Sequence, residues 1–76
     1  EAFAMVTMCP IDDFKLDPAK VNINGGACAL GHPVGSTGSR IILTLIHALK
    51  RTGGKKGIAA LCIGGGEATA VAIELL

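Results

Sequence analysis

At 76 residues the chain is about one small domain, and a chain of that size hides only roughly 60% of its unfolded surface. Half of its residues are apolar and 17% are charged, which excludes a disordered segment and suits a piece of a larger core better than a lone mini-domain. A net charge of +1 leaves no electrostatic footprint for nucleic acid, and no apolar stretch approaches the roughly eighteen residues of a membrane span.

The chain opens at Glu1-Ala2-Phe3-Ala4 with neither an initiator Met nor a signal-peptide pattern, and it reads as an excerpt of a longer polypeptide. Glu1 to Cys9 is expected to form a helix that Pro10 ends, because proline has no N–H with which to continue it. Residues 11–20 form a polar connector carrying Asp12, Asp13, Asp17 and Pro18. Val21 to Asn24 is expected to be a short extended piece. A glycine-studded loop follows from Gly25 to Gly38.

The pattern then sharpens. From Ser39 to Arg51, residues Ile41, Ile42, Leu45, Ile46, Ala48 and Leu49 share one side of a helical projection, and Arg40, Thr44, His47 and Arg51 share the other. Ser36 or Thr37 is placed to cap this helix, and Gly53-Gly54 to stop it. Gly57 to Ile63 reads as a buried strand leading into Gly64-Gly65-Gly66. Ala68 to Leu76 reads as a second strand with Val71, Ile73 and Leu75 on one face. The pattern is α/β.

Two loops could carry chemistry. His32 lies between Gly31, which lets backbone approach a ligand, and Pro33, which biases its neighbour toward extended conformations. Such a histidine can exchange a proton near neutral pH, or it can simply bond a carbonyl in a turn. Cys62 ends an apolar strand just before three glycines, where unobstructed backbone N–H groups favour negative charge. A free cysteine at such a place also packs as a small apolar residue. The residues alone leave both choices open.

Other constellations carry less. The glycines from Gly31 to Gly38 precede a helix, yet neither a P-loop Lys-Ser/Thr nor a dinucleotide glycine spacing is present. His47 falls on the polar stripe and reads as solvated. Lys50, Arg51, Lys55 and Lys56 surround the helix end and suit its dipole. Cys9, Cys28 and Cys62 cannot all pair, which speaks against a disulfide framework and for a reducing compartment. Their spacing with His32 is irregular for a zinc site, so no metal is expected.

The motifs taken together narrow the choice. Asn22-Ile23-Asn24-Gly25-Gly26-Ala27, Leu30-Gly31-His32-Pro33 and Gly35-Ser36-Thr37-Gly38-Ser39-Arg40 resemble, in order, the C-terminal signature of thiolases. Leu61-Cys62-Ile63-Gly64-Gly65-Gly66 resembles their final catalytic motif, and Glu1-Ala2-Phe3-Ala4 looks like the tail of their Asn-Glu-Ala-Phe motif. The likeness runs from the first residue to the last. It implies a partial C-terminal domain, residues 1–76, within a mixed β-sheet that has helices on its faces. The Ser39–Arg51 helix would pack on the strands around Cys62 and Val71.

The resemblance also implies roles. His32 matches the histidine that activates an acyl-carrying cysteine in the N-terminal half and helps hold a thioester oxygen. Cys62 matches the second cysteine, which takes a proton from the acetyl methyl group. Gly64 matches the glycine whose N–H contributes to an oxyanion hole, and Ala2 and Phe3 correspond to residues beside the pantetheine tunnel. Coenzyme A thioesters would be the substrates, with no tightly bound cofactor. The partners would be the rest of the chain and copies of it in a homodimer or homotetramer. The compartment would be intracellular: cytoplasmic first, with mitochondrial or peroxisomal as eukaryotic alternatives.

The acyl-carrying cysteine lies outside these residues, so the segment alone is expected to be inactive. Cys28 stands where the family commonly has an aliphatic residue and is not given that role. The Asn-Ile-Asn-Gly-Gly and Cys-Ile-Gly-Gly-Gly versions look more like acetoacetyl-CoA thiolases than long-chain 3-ketoacyl-CoA thiolases. Readings from other classes are a non-catalytic thiolase-like fragment and a coenzyme A-binding module that uses the glycine loop alone.

Overall fold

A computed structural model describes residues 1–76 as two compact units, Glu1–His32 and Pro33–Leu76.

The first unit begins with helix α1, Met5–Asp13. It does not stop at Pro10, as the sequence suggested, but carries the proline inside it. Pro10 removes a single N–H, and the bonds around it survive: Met8 N–H donates to Ala4 O at 3.0 Å and Phe14 N–H to Pro10 O at 3.0 Å. The helix closes instead at Lys15, whose φ of 52° lets Leu16 N–H reach back to Ile11 O at 3.0 Å. A 3₁₀ turn, Pro18–Lys20, follows, with the Asp17 carboxylate accepting from Ala19 N–H at 3.0 Å.

Residues 21–24 are not an extended piece. Asn22 sits at φ 49°, a region Asn tolerates better than most residues, and Gly25 N–H closes a turn onto Asn22 O at 2.8 Å. Inside the glycine loop lies a single-turn helix, α2, Ala27–Leu30, ended by Gly31 at φ 91° and ψ 165°. An L side chain is strained at that φ, so glycine suits the exit from α2.

The second unit holds helix α3, Thr37–Thr52, and strands β1, Lys56–Ile63, and β2, Glu67–Glu74. The apolar stripe is realised: Ala48 and Leu49 are buried and Leu43, off the stripe, is exposed. Gly53 at φ 76° ends α3, and the next N–H, that of Gly54, returns to Leu49 O at 3.0 Å. Neither expected cap acts as one. Ser36 occupies the N-cap position without a side-chain bond, and the Thr37 hydroxyl turns back to Pro33 O.

The strands pair antiparallel from Lys56↔Glu74 to Ile63↔Glu67, as the hairpin pattern suggested. The α/β class holds, and this chain's own share of sheet is two antiparallel strands. Strand residues alternate between faces, so Gly57, Ala59 and Leu61 turn toward α3 while Ile58, Ala60 and Cys62 face the other way. The helix thus packs on the strand that bears Cys62, with Cys62 itself on the opposite face. Ala59 is buried, and burying Leu49 contributes about 1.5–3 kcal/mol relative to leaving it in water.

The seam between α3 and β1 is set by Gly57. A Cβ there would stand 2.6 Å from Leu45 Cδ1 and 3.2 Å from Leu45 Cγ, so the leucine fills the space a side chain would need. Gly57→Val is predicted to overpack this contact and to cost about 1–3 kcal/mol. Adding Leu45→Ala should make the pair cost less than the sum of the singles. Urea unfolding of the intact protein checks both statements, and simple additivity would refute the contact.

Candidate active site

The candidate residues divide between the two units. Ala2, Phe3 and His32 lie in the first, Cys62 and Gly64 in the second.

In the first unit, Ala2 and Phe3 form the exposed entry to α1, and Phe3 O accepts the Val6 N–H at 3.0 Å. Phe3 leaves 62% of its surface open, a large apolar side chain at the place the resemblance assigns to the pantetheine tunnel. His32 is exposed and follows Gly31 directly out of α2.

Glu1, which the sequence offered only as part of a motif, proves to be a structural hub. Its Oε2 accepts from the Thr7 hydroxyl at 2.6 Å, and its Oε1 from Cys28 N–H at 3.1 Å. The Thr7 hydroxyl, and after it the Cys28 N–H, hold the Glu1 carboxyl below the usual carboxylate range. No local spacing announces a bond between residues 27 positions apart.

In the second unit, the loop after His32 is fastened by one carbonyl. Pro33 O accepts from Ser36 N–H at 2.7 Å, Thr37 N–H at 2.9 Å and the Thr37 hydroxyl at 3.1 Å. Thr37 is 1% exposed, so its hydroxyl is a buried polar group that this bond helps to satisfy.

Cys62 stands near the far end of β1, opposite Ala68, with its side chain exposed. The three glycines form the turn into β2, closed by Gly66 N–H on Ile63 O at 3.3 Å. Nothing lies within 4 Å of where a Cβ on Gly64 would be, so that stretch of backbone is open to an incoming group. At Gly65 the Glu67 carboxylate covers the space, with Oε2 at 2.6 Å from the same point. A thiol beside an open peptide is an arrangement suited to proton transfer next to a developing oxyanion.

Cys9 and Cys28 are also exposed, so exposure alone does not separate the three cysteines. No group of three or more His, Cys, Asp or Glu side chains is placed to hold a metal ion. No helix is long and apolar enough to cross a membrane.

Thr37→Val is predicted to cost about 0.5–1.5 kcal/mol by removing the hydroxyl's bond to Pro33 O from a buried site, with Thr37→Ser regaining most of it. Thermal or urea unfolding of the intact protein measures this. A loss for Ser with none for Val would show that the methyl group, not the hydroxyl, matters.

Residues 1–75 match the family described as thiolase, C-terminal domain. A cytosolic acetyl-CoA acetyltransferase of Mus musculus is 54% identical over 97% of this chain. An acetyl-CoA acetyltransferase of Cupriavidus necator is 51% identical over 97% of it, and a steroid 3-ketoacyl-CoA thiolase of Mycobacterium tuberculosis 51% identical over 100%. The chain spans 19% of the length of each of these relatives. With its motifs in order and the family matched from end to end, this chain belongs to the thiolase family, in the part that forms the C-terminal domain.

Proposed function

We propose that residues 1–76 are a partial C-terminal domain, working within a longer thiolase that condenses two acetyl-CoA molecules to acetoacetyl-CoA and free CoA, or runs the reverse thiolysis. The observation that carries the reading is the pairing of Gly31-His32-Pro33 and Cys62-Ile63-Gly64 in a chain 54% identical to a named acetyl-CoA acetyltransferase.

A Claisen condensation needs a nucleophile, a base and sites for developing oxyanions. In this reading a cysteine elsewhere in the longer chain holds one acetyl group as a thioester, with His32 activating it. The Cys62 thiolate takes a proton from the methyl group of a second acetyl-CoA. The resulting carbanion attacks the enzyme-bound thioester carbonyl, a carbon–carbon bond forms, and the first cysteine leaves as its thiolate. Gly64 N–H holds one developing oxyanion, and His32 helps to hold the thioester oxygen. Ala2 and Phe3 border the pantetheine arm. The acyl-CoA is the substrate and no tightly bound cofactor is required. The enzyme is a homodimer or homotetramer in a reducing intracellular compartment, the cytoplasm first.

A bulkier 3-ketoacyl-CoA is the second reading, favoured by the 51% identity to a steroid 3-ketoacyl-CoA thiolase. In the full-length protein, His32→Ala and Cys62→Ala are each expected to lower thiolysis of acetoacetyl-CoA by about 10²–10⁴-fold, the usual scale of acid–base contributions. Cys9→Ala should stay near wild type. Wild-type rates kept by Cys62→Ala would defeat the assignment, and preference for a steroid or long-chain substrate would move it to the second reading.

A further inference from the structure

Three segments of the first unit meet at one carboxylate. Glu1 Oε2 takes the Thr7 hydroxyl from α1 at 2.6 Å, and Glu1 Oε1 takes Cys28 N–H from the first turn of α2 at 3.1 Å. Asn22, on the turn that leads into α2, donates its Nδ2 to Thr7 Oγ1 over a longer 3.4 Å.

The N-cap of α2 explains why a remote residue is needed. Gly26 holds that position and has no side chain to offer the free N–H groups of the first turn. Its φ of −98° is open to any residue, so conformation does not call for glycine here. Space does: a Cβ on Gly26 would stand 2.6 Å from Glu1 Cδ and 2.7 Å from Asn22 Nδ2. The Glu1 carboxylate lies where a capping side chain would lie, and it brings a negative charge to the helix end that favours one.

We propose that Glu1 is a positioning residue for His32. Its carboxylate caps the one-turn helix α2 from a distant point of the chain and thereby fixes the exit through Gly31 on which His32 sits. The proposal rests on the reading of His32 as an acid–base group given above. A four-residue helix has little stability of its own, so its orientation depends on what holds its ends. Displacing a catalytic group by about 1 Å can cost about 10²-fold in rate.

Steady-state thiolysis of acetoacetyl-CoA by the full-length protein tests this. Glu1→Ala should lower kcat by about 10–100-fold with KM little changed, the scale expected for a misplaced group. Glu1→Gln, which keeps an oxygen for Cys28 N–H, should restore most of the loss. Gly26→Ala, which pushes the carboxylate aside, should lower kcat in the same direction. Combined with Glu1→Ala it should cost no more than the worse single change. Should Glu1→Ala not fold, Gly26→Ala and Thr7→Val carry the test. A wild-type kcat in both, or a melting temperature lowered with kcat per folded enzyme intact, overturns the proposal. An active wild type whose variants lose nothing rejects the positioning role alone. A wild type without thiolysis rejects the thiolase reading and this role with it.

Discussion

Leu45 lies against the bare backbone of Gly57, and the second unit is arranged around that contact. With no side chain between them, α3 settles onto β1 closely enough to bury Ala48, Leu49 and Ala59. The contact also fixes which way the strand faces. Gly57, Ala59 and Leu61 must turn to the helix, and because strand side chains alternate, Cys62 must turn away. A slip of one residue would bury Cys62 under α3 and expose Leu61. The position of the Cys62 thiol is thus decided by a packing contact five residues away.

Apolar packing governs the second unit, and polar bonds to single oxygens govern the approach to His32. On one side the Glu1 carboxylate ties α1 to α2, and on the other Pro33 O gathers three donors from the start of α3. His32 lies between these two fastenings in the chain. Loops held this way keep a defined course without a core of their own. Several large apolar side chains are left outside the core. Phe3, Phe14, Val34 and Ile58 are each more than half exposed, a pattern that suits surfaces covered by further protein.

What the sequence made legible follows from the range of the forces involved. Helix α3 announced itself because its stripe repeats over four turns, and the hairpin because two apolar runs flank three glycines. Pro10 suggests a stop but does not end α1, because it removes one hydrogen bond while the neighbouring bonds hold. At Asn22 the apolar Val21 and Ile23 suggested a strand, while the Asn and Gly residues beside them favour a turn, and turn chemistry won. Thr37 suits a cap by residue type, yet its hydroxyl donates backward to Pro33 O. His32 and Cys62 were legible through their glycine surroundings and motif order. Glu1 was not, because a carboxylate that caps a helix 27 residues away leaves no periodic trace.

Of three exposed cysteines, Cys62 is the one to which the proposed mechanism gives the proton transfer. The most direct measurement is the rate at which each cysteine of the full-length protein is alkylated by iodoacetamide, followed by peptide mass analysis, with and without acetyl-CoA. Cys62 should react faster than Cys9 and Cys28 and should be slowed by acetyl-CoA. Equal rates at all three, unmoved by acetyl-CoA, would contradict the role proposed for Cys62.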